Sequence, residues 1–118
     1  MAAPNFAALS TVTGKTALTI ATTSLANVVT NSAGSNNVLR VNSLILTNYS
    51  TATVTSNVNI IRGATNYPIA GTLAVPGNST MALVGKDITF YLEEGDYVQA
   101  NANANTSLSI TLSYEIIT

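Results

Sequence analysis

The sequence predicts an all-β fold: a single antiparallel β-sandwich or jelly-roll-like domain of about 7–9 short strands. Three observations carry this. Residues 108–116, LSITLSYEI, alternate apolar and polar over the whole stretch, which is the pattern of a strand buried on one face. Similar stretches recur along the chain, separated by Gly, Pro, Asn and Ser turns at spacings of about 8–12 residues. No segment has the 3.6-residue apolar period of an amphipathic helix, and β-branched residues are frequent.

Taken in order, residues 1–12 are small and irregular, contain Pro4 and Phe6, and read as a flexible arm preceding a sandwich domain over 13–118. The stretch TGKTALTIATT, from Thr13, places Leu18 and Ile20 on one face, the expected core face. NSAGSNN at 31–37 is loop composition, with Gly and Asn suited to positive φ. In NVLRVNSLILTN, Leu39 and Val41 share one parity while Leu44 and Leu46 share the other. The switch at Asn42 and Ser43 implies either a β-bulge or a strand buried on both faces for part of its length.

After a tight turn at 48–51, ATVTSNVNI directs Ala52, Val54, Val58 and Ile60 inward. Thr53, Thr55, Asn57 and Asn59 then face outward. Arg62 with Gly63, and the NYP of 66–68, are expected to end that strand, and a short strand follows near 71–75. Past the PGN turn at 76–78, STMALV turns Met81 and Leu83 inward. ITFYL turns Ile88, Phe90 and Leu92 inward and Tyr91 outward. EEGD at 93–96 is a turn, DYVQANA carries Val98 and Ala100 inward, and NANANTS forms the last hairpin loop.

A chain of 118 residues suits one domain, with roughly 65% of the unfolded surface buried, so a core without disulfides is feasible. There is no Cys and no His, which removes disulfides, thiolate or imidazole metal sites and His- or Cys-based catalysis. Neither enzymatic activity nor a cofactor is expected. Lys15, Arg40, Arg62 and Lys86 are scattered, so nucleic acid is not an expected partner. No apolar run approaches ~18 residues, and the start MAAPNFAALS lacks a signal peptide's basic and apolar regions. The expectation is a protein made in the cytosol with no membrane partner.

Two values pull against each other: 47% of the residues are hydrophobic, yet only 8% are charged, against about 25% in ordinary domains. Ser, Thr and Asn supply 43 residues. A surface so weakly charged has little repulsion to keep copies apart and suits a protein covered by neighbours.

Other signals have plainer readings. Glu93, Glu94 and Asp96 are oxygen ligands of the type Ca²⁺ takes, but they lack the spacing of a known cation loop and read as a charged hairpin turn around Gly95. Threonines 51, 53 and 55 align on one face, as ordinary strand alternation produces without any longer repeat. Three N-glycosylation patterns, at Asn48, Asn78 and Asn105, match the roughly three that chance gives at this composition. Tyr49, Tyr67, Tyr91 and Tyr97 occupy turn or outward positions, as a sugar platform or a protein interface would require.

One resemblance runs from about residue 38 to 117. LRVNSLILTNYSTATVTSNVNII, TLAVPGNSTMALV and FYLEEGDYVQANANANTSLSITLSYEI together resemble small β-sandwich structural proteins of tailed bacteriophage virions. The matching features are Thr47 and Asn48 at a strand end, then Val75 and Pro76 with Asn78, Ser79 and Thr80. Next come Leu92 with Gly95, Asp96 and Val98, and last Ser113, Tyr114 and Glu115. The resemblance implies a non-enzymatic virion component, a capsid cement or decoration protein, or a neck, tail or fibre module. A cement protein would contact the major capsid protein and itself, as a homotrimer, on the capsid exterior, with no small-molecule substrate. The contact surface then expected is the arm with Pro4 and Phe6, the outward Thr53, Thr55, Asn57 and Asn59, and Tyr91. A carbohydrate-binding module is the competing reading from a different class.

Overall fold

The structure, a computed structural model, is described over residues 11–85 and 87–118. Nine strands are present among these residues, and no helix: β1 Val12–Ile20, β2 Ala26–Thr30, β3 Val38–Asn48, β4 Val54–Arg62, β5 Thr65–Val75, β6 Ser79–Val84, β7 Phe90–Leu92, β8 Tyr97–Ala102 and β9 Leu108–Ile117. They form two antiparallel sheets. One runs β1-β9-β3-β6, with β7 also on β3; the other runs β2-β8-β4-β5. The pairs are nested: β1 with β9, β2 with β8, β3 with β6 and β7, and β4 with β5. A long hairpin folded over on itself in this way is a jelly roll, which is one of the two architectures the alternation allowed.

The core lies between the sheets. From the first sheet come Leu39, Val41, Leu44 and Leu46 of β3 and Leu108, Ile110 and Leu112 of β9. From the second come Val54 and Val58 of β4, Val75 of β5, and Val98, Ala100 and Ala102 of β8. Leu44 stands opposite Leu112, and Leu46 opposite Ile110, so cross-strand apolar pairs line the inner face of the first sheet. Each fully buried leucine contributes roughly 2 kcal/mol of transfer free energy. The parity switch in β3 is a β-bulge, because its register against β9 shifts between Val41 and Ser43.

Several expectations are corrected. Leu18 is 75% exposed and Ile20 46%: they lie on the outer face of β1, and the small Ala17 packs against the core instead. Their partners Thr111 and Ser109 are also on the outside, whereas Ala17 pairs with the buried Leu112. An edge strand can carry larger apolar residues outward than inward, which is why the pattern misleads here. Ile88 is likewise 68% exposed, because strand β7 begins only at Phe90. Ala52 sits exposed in a turn ahead of β4. Strand β5 begins at Thr65, not near 71, and runs through Pro68. It is an edge strand, where the missing N–H of proline costs no ladder bond. The hairpin turn into it holds Gly63 and Ala64 at φ 58° and 64°, the doubly positive geometry of a type I′ turn. Val12, assigned to the arm from sequence, opens β1.

Candidate interaction surfaces

The charged groups gather toward one end of the sandwich. Lys15 pairs in register with Tyr114, Gly14 with Glu115, and Glu115 with Arg40, whose guanidinium lies 3.9 Å from the Glu115 carboxylate. At the same end, Arg62 at the close of β4 meets the 93–96 turn. Its Nε donates to both Asp96 carboxylate oxygens at 3.0 and 3.1 Å, and its Nη2 donates to Asp96 at 2.6 Å and to Glu93 at 2.8 Å. Asp96 also accepts the Glu93 N–H at 2.8 Å and is 2% exposed. The hydrogen bonds Arg62 donates to Asp96 outweigh desolvation and raise the Arg62 pKa above its ordinary value. Glu94 accepts the N–H of Asn36. The carboxylates of the acidic turn thus tie it to the end of β4 and to the 31–37 loop. Among the described residues no group of His, Cys, Asp or Glu is placed to hold a metal ion.

Among the described residues, the opposite end carries no charge. It is made by four connections, at residues 21–25, 49–53, 76–78 and 103–107, in which no Asp, Glu, Lys or Arg occurs. The connections brace one another. Thr23 N–H donates to Asn105 Oδ1 at 3.1 Å, Tyr49 N–H to Ser107 O at 3.0 Å, and Asn78 N–H to Ser50 O at 2.9 Å. Beneath them Asn48 is fully buried, its Nδ2 donating to Ala52 O and Val75 O, both at 2.8 Å, while its Oδ1 accepts from Ser50 N–H and Oγ. Gly77 lies so close to the neighbouring turn that a Cβ there would come 2.4 Å from Thr51 O. Leu25, at 44% exposure, and Tyr49, at 49%, stand out from this rigid, uncharged end.

The outer faces of the sheets differ. On the first sheet, in-register rows read Ile20, Ser109, Thr47, Thr80 and then Leu18, Thr111, Ile45, Ala82, four strands wide and without a charge. This answers why LSITLSYEI turns short hydroxyls outward: they floor a low-charge face between β1 and β6. On the second sheet the outer face is an amide ladder. Asn57 Nδ2 donates to Asn101 Oδ1, Gln99 Nε2 donates to Asn27 Oδ1, and Asn103 Oδ1 accepts the Thr55 N–H.

The residues expected to form one contact surface are thus divided. Thr53 is exposed at the uncharged end, and Thr55 is half-buried in the ladder. Asn57 is used internally: its Oδ1 accepts the N–H of Thr72 at 2.7 Å, where β5 bulges with φ 51°. Asn59 is 8% exposed, so its side chain is no contact surface. Tyr91 lies on the other sheet, opposite Arg40, and is 41% exposed. Pro4 and Phe6 lie outside the described residues. An open cleft of about 420 Å³ does bring two of the outward tyrosines together: Tyr67 and Tyr91 line it with Ile60, Phe90 and Arg62. That juxtaposition joins β5 to β7 across 24 residues of chain and has no local sequence signature.

No protein-family model matches this sequence, and neither does any curated protein. Among solved structures, a chain from work on Bacillus endospore appendages, described as a novel family of disulfide-linked pili, superposes with a TM-score of 0.51 at 13% identity. The superposition covers 99% of this chain and 95% of that one. A likeness at this identity extends to the fold, and the described residues accordingly form an all-β sandwich.

Proposed function

We propose that this chain is a non-enzymatic structural subunit of the capsid cement or decoration type, seated on a tailed-phage shell by uncharged contacts. The observation that carries this reading is the polarity of the molecule: one end holds the ion pairs, and the other exposes four braced connections without a single charge. Uncharged hydroxyl and amide groups can bond a neighbour's backbone without the desolvation cost of burying charges. Rigidity of the end lowers the ordering cost of docking. The virion assignment draws on the strand and turn pattern of residues 38–117. The fold neighbour is itself from a pilus, which supports an assembly role in general; this chain has no Cys, so its contacts are noncovalent with respect to disulfides.

Co-sedimentation with purified tailed-phage capsids stripped of decoration protein tests the reading. The full chain is expected to saturate on the shell, and Tyr49→Lys with Thr53→Lys to weaken binding at least about tenfold. Failure of the full chain to bind any such shell would reject it. Removal of residues 2–10, which leaves β1 whole, is expected to reduce retention, and undiminished retention would reject the arm as a contact.

The Tyr67 and Tyr91 cleft favours a second reading as a carbohydrate-binding module, since two tyrosines lining one cleft beside a guanidinium suit a neutral sugar ring. With no Trp in the chain, emission comes from the five tyrosines, two of which line that cleft. Saturable quenching by oligosaccharides, abolished in Tyr67→Ala and kept in Tyr49→Ala, would favour this reading over the first.

A further inference from the structure

Among the described residues, four of the five edge strands of the two sheets are blunted, and one is not. Strand β2 has five residues and a register shift at its middle; β5 contains Pro68 and two shifts. Strand β7 has three residues, and β6 has six with a shift between Leu44 and Ile45 of its partner. Short strands, prolines and bulges are the devices that keep sheet edges from pairing with other chains. Strand β1 uses none of them beyond Lys15: nine residues run against β9 in unbroken register, with no proline.

Its hydrogen-bonding sides can be assigned. Thr11 and Thr118 exchange both backbone bonds at the start of the ladder, and Ala21 N–H donates to Leu108 O just past its end. Alternate residues of an antiparallel strand face the same neighbour. The odd-numbered residues therefore face β9, and Val12, Gly14, Thr16, Leu18 and Ile20 direct their N–H and C=O groups to the open edge. The same residues carry their side chains on the outer face, where Val12, Leu18 and Ile20 are 50%, 75% and 46% exposed.

We infer that β1 pairs antiparallel with β1 of a second copy, on a two-fold axis through Thr16, making one continuous sheet across a dimer. The edge is self-complementary in this register. Ile20 meets the second copy's Val12, and Leu18 meets its Gly14, around which a side-chain position is open. Lys15 falls opposite Ala17 rather than opposite itself. Moving the axis to Lys15 would set two ammonium groups face to face, and moving it to Ala17 would leave Val12 without a partner. A two-fold contact closes at two copies. The dimer thus refines the structural reading, on which it rests, and replaces the trimer expected from the sequence resemblance as the primary contact.

The test uses the purified full chain, with no shell present, so this inference and the capsid reading can fail separately. Because the chain has no Cys, a single engineered one reports cleanly. Opposed hydrogen-bonded residues stand about 5.5 Å apart between Cα atoms, within disulfide reach. Mild oxidation of Thr16→Cys should give a linked dimer at least about tenfold faster than Thr30→Cys, an exposed position on β2. Light scattering should give twice the 12.2 kDa chain mass for the native protein and a single chain for Thr16→Lys, which opposes two charges on the axis. Equal cross-linking at the two cysteine positions would overturn the inference, as would a native mass of one or three chains, or a Thr16→Lys mass equal to the native one.

Discussion

Arg62 grips Asp96 with a fork of hydrogen bonds from Nε and Nη2, 2.6 to 3.1 Å long, although 34 residues separate them. The pair ties the end of β4 to the turn that launches β8. Asp96 is buried while half of the Arg62 side chain is exposed, so removing the arginine strands a carboxylate. Arg62→Ala should cost about 2 kcal/mol, read as a lower urea midpoint with unchanged slope. Arg62→Lys should recover only part of this, since a lysine cannot present the fork.

The pH response of that pair follows from its sign. Hydrogen bonding to Asp96 raises the Arg62 pKa in the folded state. A raised cation contributes stability that is fully present below its unfolded pKa and is lost only as pH climbs through the folded value. Both lie far above neutrality for a guanidinium. The stability difference between the native chain and Arg62→Ala should therefore stay constant from about pH 6 to 9. A difference that shrinks toward pH 9 would mean that the guanidinium is not its source.

Asn48→Ala should be among the costlier polar substitutions. It removes the donor to the buried Val75 carbonyl, one of two donors to Ala52 O, and the acceptor that shapes the 49–53 turn. A loss of about 2 kcal/mol is expected, mainly from the orphaned carbonyl at Val75. Asn48→Asp should not rescue it, because a carboxylate cannot donate to either. Chemical denaturation of both variants checks this.

Two small residues should respond in opposite directions. Gly77→Ala drives a methyl against Thr51 O and should cost about 1–3 kcal/mol, because a backbone carbonyl cannot swing aside. Ala64 holds φ 64° in a turn that favours glycine, so Ala64→Gly should stabilise by about 0.5 kcal/mol. Paired thermal melts would show the two shifts with opposite sign.

Much of the architecture is legible in the sequence, since period-2 alternation and turn residues mark most strands of the jelly roll, though not β2 or the first half of β5. The bulge at Asn42 shows as a parity switch between Val41 and Leu44. What stays hidden depends on partners distant in sequence. Nothing near Leu18 reveals that its strand lies on an edge, so its apolar face reads as a core face. Asp96 looks solvated in an acidic turn because its arginine comes from another sheet strand. Asn59 reads as an outward residue by parity, yet the folded chain covers it. The charge-free end was foreshadowed only as a low overall charge; the topology gathers four separate connections into one place.

Light scattering of the full chain across a dilution series, at low and high salt, tests most directly whether association runs through uncharged surfaces. Exposed charge contacts weaken as salt screens them, whereas backbone pairing and apolar contact do not. The expected result is a mass above one chain that salt leaves unchanged. A single-chain mass at every concentration, or an assembly that dissolves in salt, would contradict it.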